Sequence, residues 1–199
     1  MNPLKSIKGT IIAGLVLAVI AIFVLGRAGA VNPWEFWVWF HVLVGITWIG
    51  LLYYFNFVQV PAVGVALGDE GGPGPAGINK YVAPRALLWF RHAARMTWLT
   101  GALALEAMHT APGSGVVAAF TFAAGYQVIG LGAWLGTIML FNVWVLIWPN
   151  QQKILGMKEA SAEQIAKAKV VALMASRTNT MLSIPMLLCM TGQMHGMPF

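Results

Sequence analysis

The chain has 199 residues, of which 59% are hydrophobic and only 9% charged, against roughly half and about a quarter in soluble domains. That balance excludes an ordinary water-soluble enzyme and points to a single integral membrane domain built as an all-α helical bundle. The net charge of +6 does not indicate nucleic acid, because the basic residues lie between apolar runs and not along one polar face; they read as topology signals.

Lys5 and Lys8 precede an apolar run and Ala28-Gly29-Ala30 follows it, which resembles a secretory signal with its small-residue cleavage site. We take the run as a retained first span, residues 10–27. The second span covers residues 34–60, WEFWVWFHVLVGITWIGLLYYFNFVQ plus Val60, with Trp34, Trp37 and Trp39 as an interfacial aromatic belt. It contains His41, and hydrocarbon tolerates no idle polar group. Gly45, Trp48, Leu52 and Phe55 fall on the same helical stripe as His41. A small residue and a flat ring beneath an imidazole suit a packed neighbour or a planar cofactor.

Pro61 is expected to end that helix, and GDEGGPGPAG at 68–77 marks a connection within a cytoplasmic linker, residues 61–85. A third span covers residues 86–108. Residues 116–148 carry no charge, more than one crossing needs and too few for two, so the fourth span (120–148) is expected to be one long or broken helix. The break is expected near Gly125 to Gly132, and Gly132-x-x-x-Gly136 offers a close helix contact. Ser161 and Gln164 are placed as a capping box opening a polar helix, residues 158–176, with Ile165, Ala168, Val171 and Ala172 as its apolar stripe. That helix is expected along the membrane surface, leading into a fifth span, residues 178–195, kinked at Pro185. Cys189 lies alone inside this span, which supports neither a disulfide nor thiolate metal chemistry.

Charge counting orients the five spans. With the N-terminus cytoplasmic, the inner side receives Lys5, Lys8, Lys80, Arg85, Arg91, Arg95, Lys153, Lys158, Lys167, Lys169 and Arg177, and the outer side only Arg27. The positive-inside bias therefore predicts a multi-pass protein of the bacterial inner membrane with a periplasmic C-terminus.

Threading the spans in this way sets His41, His109 and His195 in the outer part of the membrane, on the second, third and fifth helices. Two imidazoles on facing helices at one depth could ligate a haem b iron, and neutral imidazole is equally a copper ligand. A histidine at a helix end also reads as an interfacial polar residue, and one deep in a span as a satisfied packing residue. Met108, Met194 and Met197 lie near the other two and could be soft ligands or packing. Glu106, three residues before His109, could orient that ring or reach water. Arg91, His92 and Arg95 could clamp a haem propionate or snorkel to headgroups. Asn56, Gln59 and Asn142 are candidates for interhelical hydrogen bonds. No phosphate loop, nucleophile elbow or metalloprotease helix is present.

FHVLVGITWIGLLYYFNFVQVP (40–61), NKYVAPRALLWFRHAARMTWLTG (79–101) and ASRTNTMLSIPMLLCM (175–190) together resemble the N-terminal membrane domain of the cytochrome-linked urate oxidases, or urate hydroxylases, in which a membrane portion precedes a c-type cytochrome. The resemblance covers most of the chain from the second span onward. His41, in F-H-x-x-x-G-x-x-W-x-G, and Arg177-Thr178-Asn179 are the matching blocks. No Cys-x-x-Cys-His is present, so no covalent haem c attaches to this chain. The H-x-x-x-G-x-x-W-x-G arrangement is also similar to the first-helix pattern of membrane protoporphyrinogen oxidases that bind haem b.

The resemblance implies an oxidoreductase of the urate oxidase kind and favours haem over copper; with the placement of the histidines, the expectation is a haem-binding redox protein with His41 as one axial ligand, His195 or His109 as the other, and Trp48, Arg91 and Arg95 around the cofactor. It would work in the lipid bilayer with a membrane-protein partner or a separate cytochrome c. The alternatives are a non-catalytic accessory subunit of a larger respiratory or oxygenase complex, and a copper-handling membrane protein.

Overall fold

The computed structural model describes residues 2–26, 31–108 and 113–198. Among them every regular element is helical, as an apolar chain requires where no water satisfies backbone groups. Three helices are long and apolar enough to cross a membrane: Ile7–Leu25, Pro33–Gly68 and Gln127–Ile154.

Met1–Asn32 forms one unit and Pro33–Phe199 another. The first holds α1 (Ile7–Leu25), capped by Ser6, whose Oγ accepts from the Gly9 N–H at 3.0 Å. Its 19 residues span about 28 Å, close to the roughly 30 Å of a hydrocarbon core. Apolar side chains all round suit it to lipid on every side.

The second unit opens with α2 (Pro33–Tyr54), a π turn (Phe55–Gln59) and α3 (Val60–Gly68), which form one uninterrupted helix of 36 residues. Pro61 therefore does not end the helix, contrary to the sequence reading. A π turn at Ile78–Val82 leads into α4 (Ala83–Ala107), and another at Asn142–Ile147 joins α6 (Gln127–Phe141) to α7 (Trp148–Ile154). Each π turn ends two residues before a proline: Pro61, Pro84 and Pro149. Proline lacks an N–H and its ring crowds the carbonyl four residues back. The wider i→i+5 turn relieves that crowding, so the helix continues where α-geometry would break.

The apolar stretch after α4 is broken, as expected, but earlier. A short α5 (Gly115–Phe120) is followed by a turn at Thr121–Tyr126 in which Phe122 has φ 55° and Gly125 φ 82°. The left-handed residue at Phe122 sets the position of the break. Glu106 holds α5 in place: its carboxylate accepts from the Ser114 hydroxyl and from the Val116 N–H at 3.2 Å, while Ser114 Oγ accepts from the Val117 N–H. An acid at a helix N-terminus is favoured by the dipole.

The capping box at Ser161 and Gln164 is present, with Gln164 Oε1 accepting from the Ser161 N–H at 2.9 Å. It opens α8 (Ala162–His195), so the polar stretch and the last apolar run are one continuous helix through Pro185. Ala168 and Ala172 of the predicted stripe are buried, and the buried line continues through Ala175, Asn179, Ser183 and Cys189.

Helices α2 and α4 pack antiparallel: Gly45 faces Thr97, and Phe55 meets Phe90 edge-on with centroids 5.5 Å apart. Helices α6 and α8 do the same, through Ile129 N–H to Gln193 Oε1 (3.0 Å) and Asn142 Nδ2 to Asn179 Oδ1 (2.8 Å). The predicted close contact occurs at Gly132, where a Cβ would lie 3.1 Å from Cys189 Cβ; at Gly136 nothing lies within 4 Å. Tyr53–Ser183 (2.9 Å) and Asn56–Ser176 (2.8 Å) tie the two pairs together. Trp98 Nε1 to Thr137 Oγ1 (2.8 Å) adds a third tie. The N-terminus of α2 and the C-terminus of α8 consequently share one end of the bundle.

Candidate functional site

His41 lies on the stripe of α2 that faces α4, as its spacing with Gly45, Trp48, Leu52 and Phe55 predicts. Its Nδ1 is 2.8 Å from the Thr97 carbonyl oxygen. A carbonyl only accepts, so Nδ1–H is the donor and the neutral ring keeps its lone pair on Nε2. The Thr97 carbonyl is accessible because residue 101, four positions on, is glycine. A Cβ on Gly101 would sit 3.0 Å from both Cε1 and Nδ1 of His41. Thr100 Oγ1 donates to the Met96 carbonyl at 2.7 Å and lies 3.1 Å from the same Thr97 carbonyl. A backbone carbonyl holding one imidazole nitrogen leaves the other oriented as a ligand.

The stripe below the ring is filled by protein. Trp48, Leu52 and Phe55 are buried against α4 in the main core, so the packed-neighbour reading of that face holds and Trp48 is a core residue. Among the described residues its buried Nε1 has no hydrogen-bond partner, nor do the side-chain oxygens of Asn56 and Gln59. His41 Nε2 is the nitrogen that would hold a haem iron or a copper ion, and the stripe below it, filled by protein, offers no flat slot.

His195 sits exposed at the end of α8, its Nδ1 3.1 Å from the Thr191 carbonyl of its own helix. Measured from the Tyr53–Ser183 bond, His41 is 12 residues away (53 − 41) and His195 also 12 (195 − 183), so both lie about 18 Å toward the same end. The two share a depth, but one ring is engaged by α4 and the other by α8. His109 lies outside the described residues, and so does any contact of Glu106 with it. Met194 is exposed and Met197 folds against Gly192. Among the described residues no three His, Cys, Asp or Glu side chains converge as a metal group.

Arg91, His92 and Arg95 form a separate cluster. The Arg91 guanidinium stacks 3.8 Å above the Trp148 ring, and Trp144 Nε1 donates to the Arg91 carbonyl at 3.2 Å. Arg95 Nη2 donates to His92 Nδ1 at 3.2 Å and lies 5.3 Å from the Trp144 ring. Thr97 is two residues beyond Arg95, about 200° around the helix. The arginines therefore occupy the face opposite the His41 contact, and the structure does not assemble them into a propionate clamp for a haem on His41. Arg95 borders a groove of about 390 Å³ that is also lined by Trp98, Thr137, Leu140, Phe141 and Trp144.

Sequence reading missed Thr97, Thr100 and Gly101, although a glycine with two threonines on one α4 face is a visible trace of close approach. It also missed how Asn142 is held: Asn179, 0% exposed, accepts from Asn142 and donates to the Met139 carbonyl at 2.9 Å.

No curated protein and no solved structure matches the chain. Residues 113–199 match the family model described as urate oxidase N-terminal, a stretch that takes in α5 to α8 with Arg177-Thr178-Asn179 and leaves His41 outside. Over those residues the chain is similar to the urate oxidase N-terminal family, the family that its sequence blocks resemble.

Proposed function

We propose that the chain is a membrane haem-binding redox protein related to the membrane domains of urate oxidases, crossing the bacterial inner membrane five times with a periplasmic C-terminus. The observation that carries this reading is the His41 ring, held at Nδ1 by the Thr97 carbonyl, with no hydrogen bond to Nε2 among the described residues. The eleven-to-one distribution of basic residues supports the orientation. His41 would hold haem b through Nε2, with His195 or His109 as the second histidine. The bound haem would supply one-electron chemistry, with electrons passing to a membrane partner or a separate cytochrome c. The chain's own part is to fix the imidazole tautomer and to exclude water with the α2–α4 packing.

The test is an absorption spectrum of the purified chain with iron and copper analysis. A Soret band that is lost in His41→Ala is expected. No band in iron-replete material, or a band unchanged by the substitution, overturns the ligand assignment. Copper without iron would favour the copper-handling reading, since the same nitrogen serves that metal. Urate-dependent reduction of an acceptor by membranes tests the substrate suggested by the family match, and a non-catalytic accessory subunit would give neither band nor activity.

A further inference from the structure

The groove between α4 and α6 is apolar along most of its length and cationic at one end. Leu140, Phe141 and Trp98 line it, with Phe141 56% and Trp98 38% exposed, a face suited to hydrocarbon. At the other end stand Trp144 and Arg95, with Arg91 one turn nearer the start of α4, stacked on Trp148. Among the described residues the contacts of the two guanidiniums are with these indoles and with His92, not with a carboxylate. Paired tryptophans and arginines mark the headgroup level of a span, and an arginine one turn deeper reaches back to it by snorkelling.

We infer that this groove is a binding site for an anionic phospholipid. Its phosphodiester sits at Arg91 and Arg95, and one acyl chain follows Trp144, Leu140 and Phe141 toward the Trp98–Thr137 hydrogen bond. Guanidinium is the side chain best matched to phosphate, through paired charge-assisted hydrogen bonds. The same two charges select the headgroup: a choline ammonium would face two like charges, whereas a glycerol headgroup adds none. Basic pockets between spans on the cytoplasmic side take anionic headgroups for this reason. The inference is independent of the haem reading, since these arginines face away from His41.

The experiment uses the full chain in detergent, titrated with phosphatidylglycerol or phosphatidylcholine while thermal unfolding is followed, and native mass spectrometry for lipid retained through purification. Phosphatidylglycerol is expected to copurify and to raise the unfolding midpoint at lower concentration than phosphatidylcholine. Arg95→Gln should raise the phosphatidylglycerol concentration for half effect about tenfold. Leu140→Trp, which fills the groove and keeps the charge, should do the same, and Lys158→Gln should not. Equal response to the two lipids, or a response unchanged by both groove variants, overturns the site, as does a tightly bound protein in place of lipid. Should Arg95→Gln fail to fold, Leu140→Trp decides alone.

Discussion

At the scale of single residues, the close approach of His41 to α4 rests on what residue 101 lacks. Gly101→Val places a branched side chain where the imidazole lies and is expected to destabilise the chain by about 1–3 kcal/mol, with loss of the Soret band if His41 is the ligand. Gly101→Ala brings opposed effects: a helix-propensity gain of up to about 1 kcal/mol against a 3.0 Å contact. Its unfolding midpoint in detergent is expected to stay near that of the parent. The buried amide pair gives a sharper number. Asn179→Leu leaves the buried Asn142 side-chain amide without its partner and takes from the Met139 carbonyl one of its two donors, the other being the Asn142 backbone N–H; this costs about 1–3 kcal/mol, and the double variant with Asn142→Leu should recover part of it. A double variant as unstable as the sum of the singles would show that the pair does not interact. His41 was legible in the sequence because hydrocarbon makes any histidine conspicuous. Its partner was not, because a main-chain carbonyl has no residue identity.

At the scale of elements, Pro61 reads as a stop and is instead passed through, as Pro149 is too. Pro61→Ala restores an N–H inside a helix that already runs to Gly68, so helical content by circular dichroism is expected to stay constant. A gain of a full turn would show that the proline had been terminating the helix. What the sequence did make legible were features with local chemistry: the Ser161 capping box, the stripe through Ala168 and Ala172, the close approach at Gly132. It located the break at Gly125, which lies in the turn, and missed that the turn opens a few residues earlier, because a phenylalanine with φ 55° carries no compositional signal. It also divided α8 in two, because polarity changes along that helix while its backbone does not.

At the scale of the whole molecule, the all-helical class was legible in composition, which also accounts for three helices long and apolar enough to cross a membrane, and the spacing of basic residues predicts a topology that labelling can check. In a Cys189→Ala background, Val31→Cys should react with an impermeant thiol reagent in intact cells and Glu70→Cys only after the membrane is opened. The reverse pattern would invert the proposed orientation. The pairing of α2 with α4 and of α6 with α8 was not legible, since apolar stripes specify a face and not a partner. The π turns bear on kinship as well as on packing. Each carries one residue more than an α-helical path needs, so a relative without the following proline can lose that residue while the faces on either side stay in register. Alignments with such relatives should therefore open single-residue gaps within Phe55–Gln59, Ile78–Val82 and Asn142–Ile147, inside spans, where insertions and deletions are otherwise least expected.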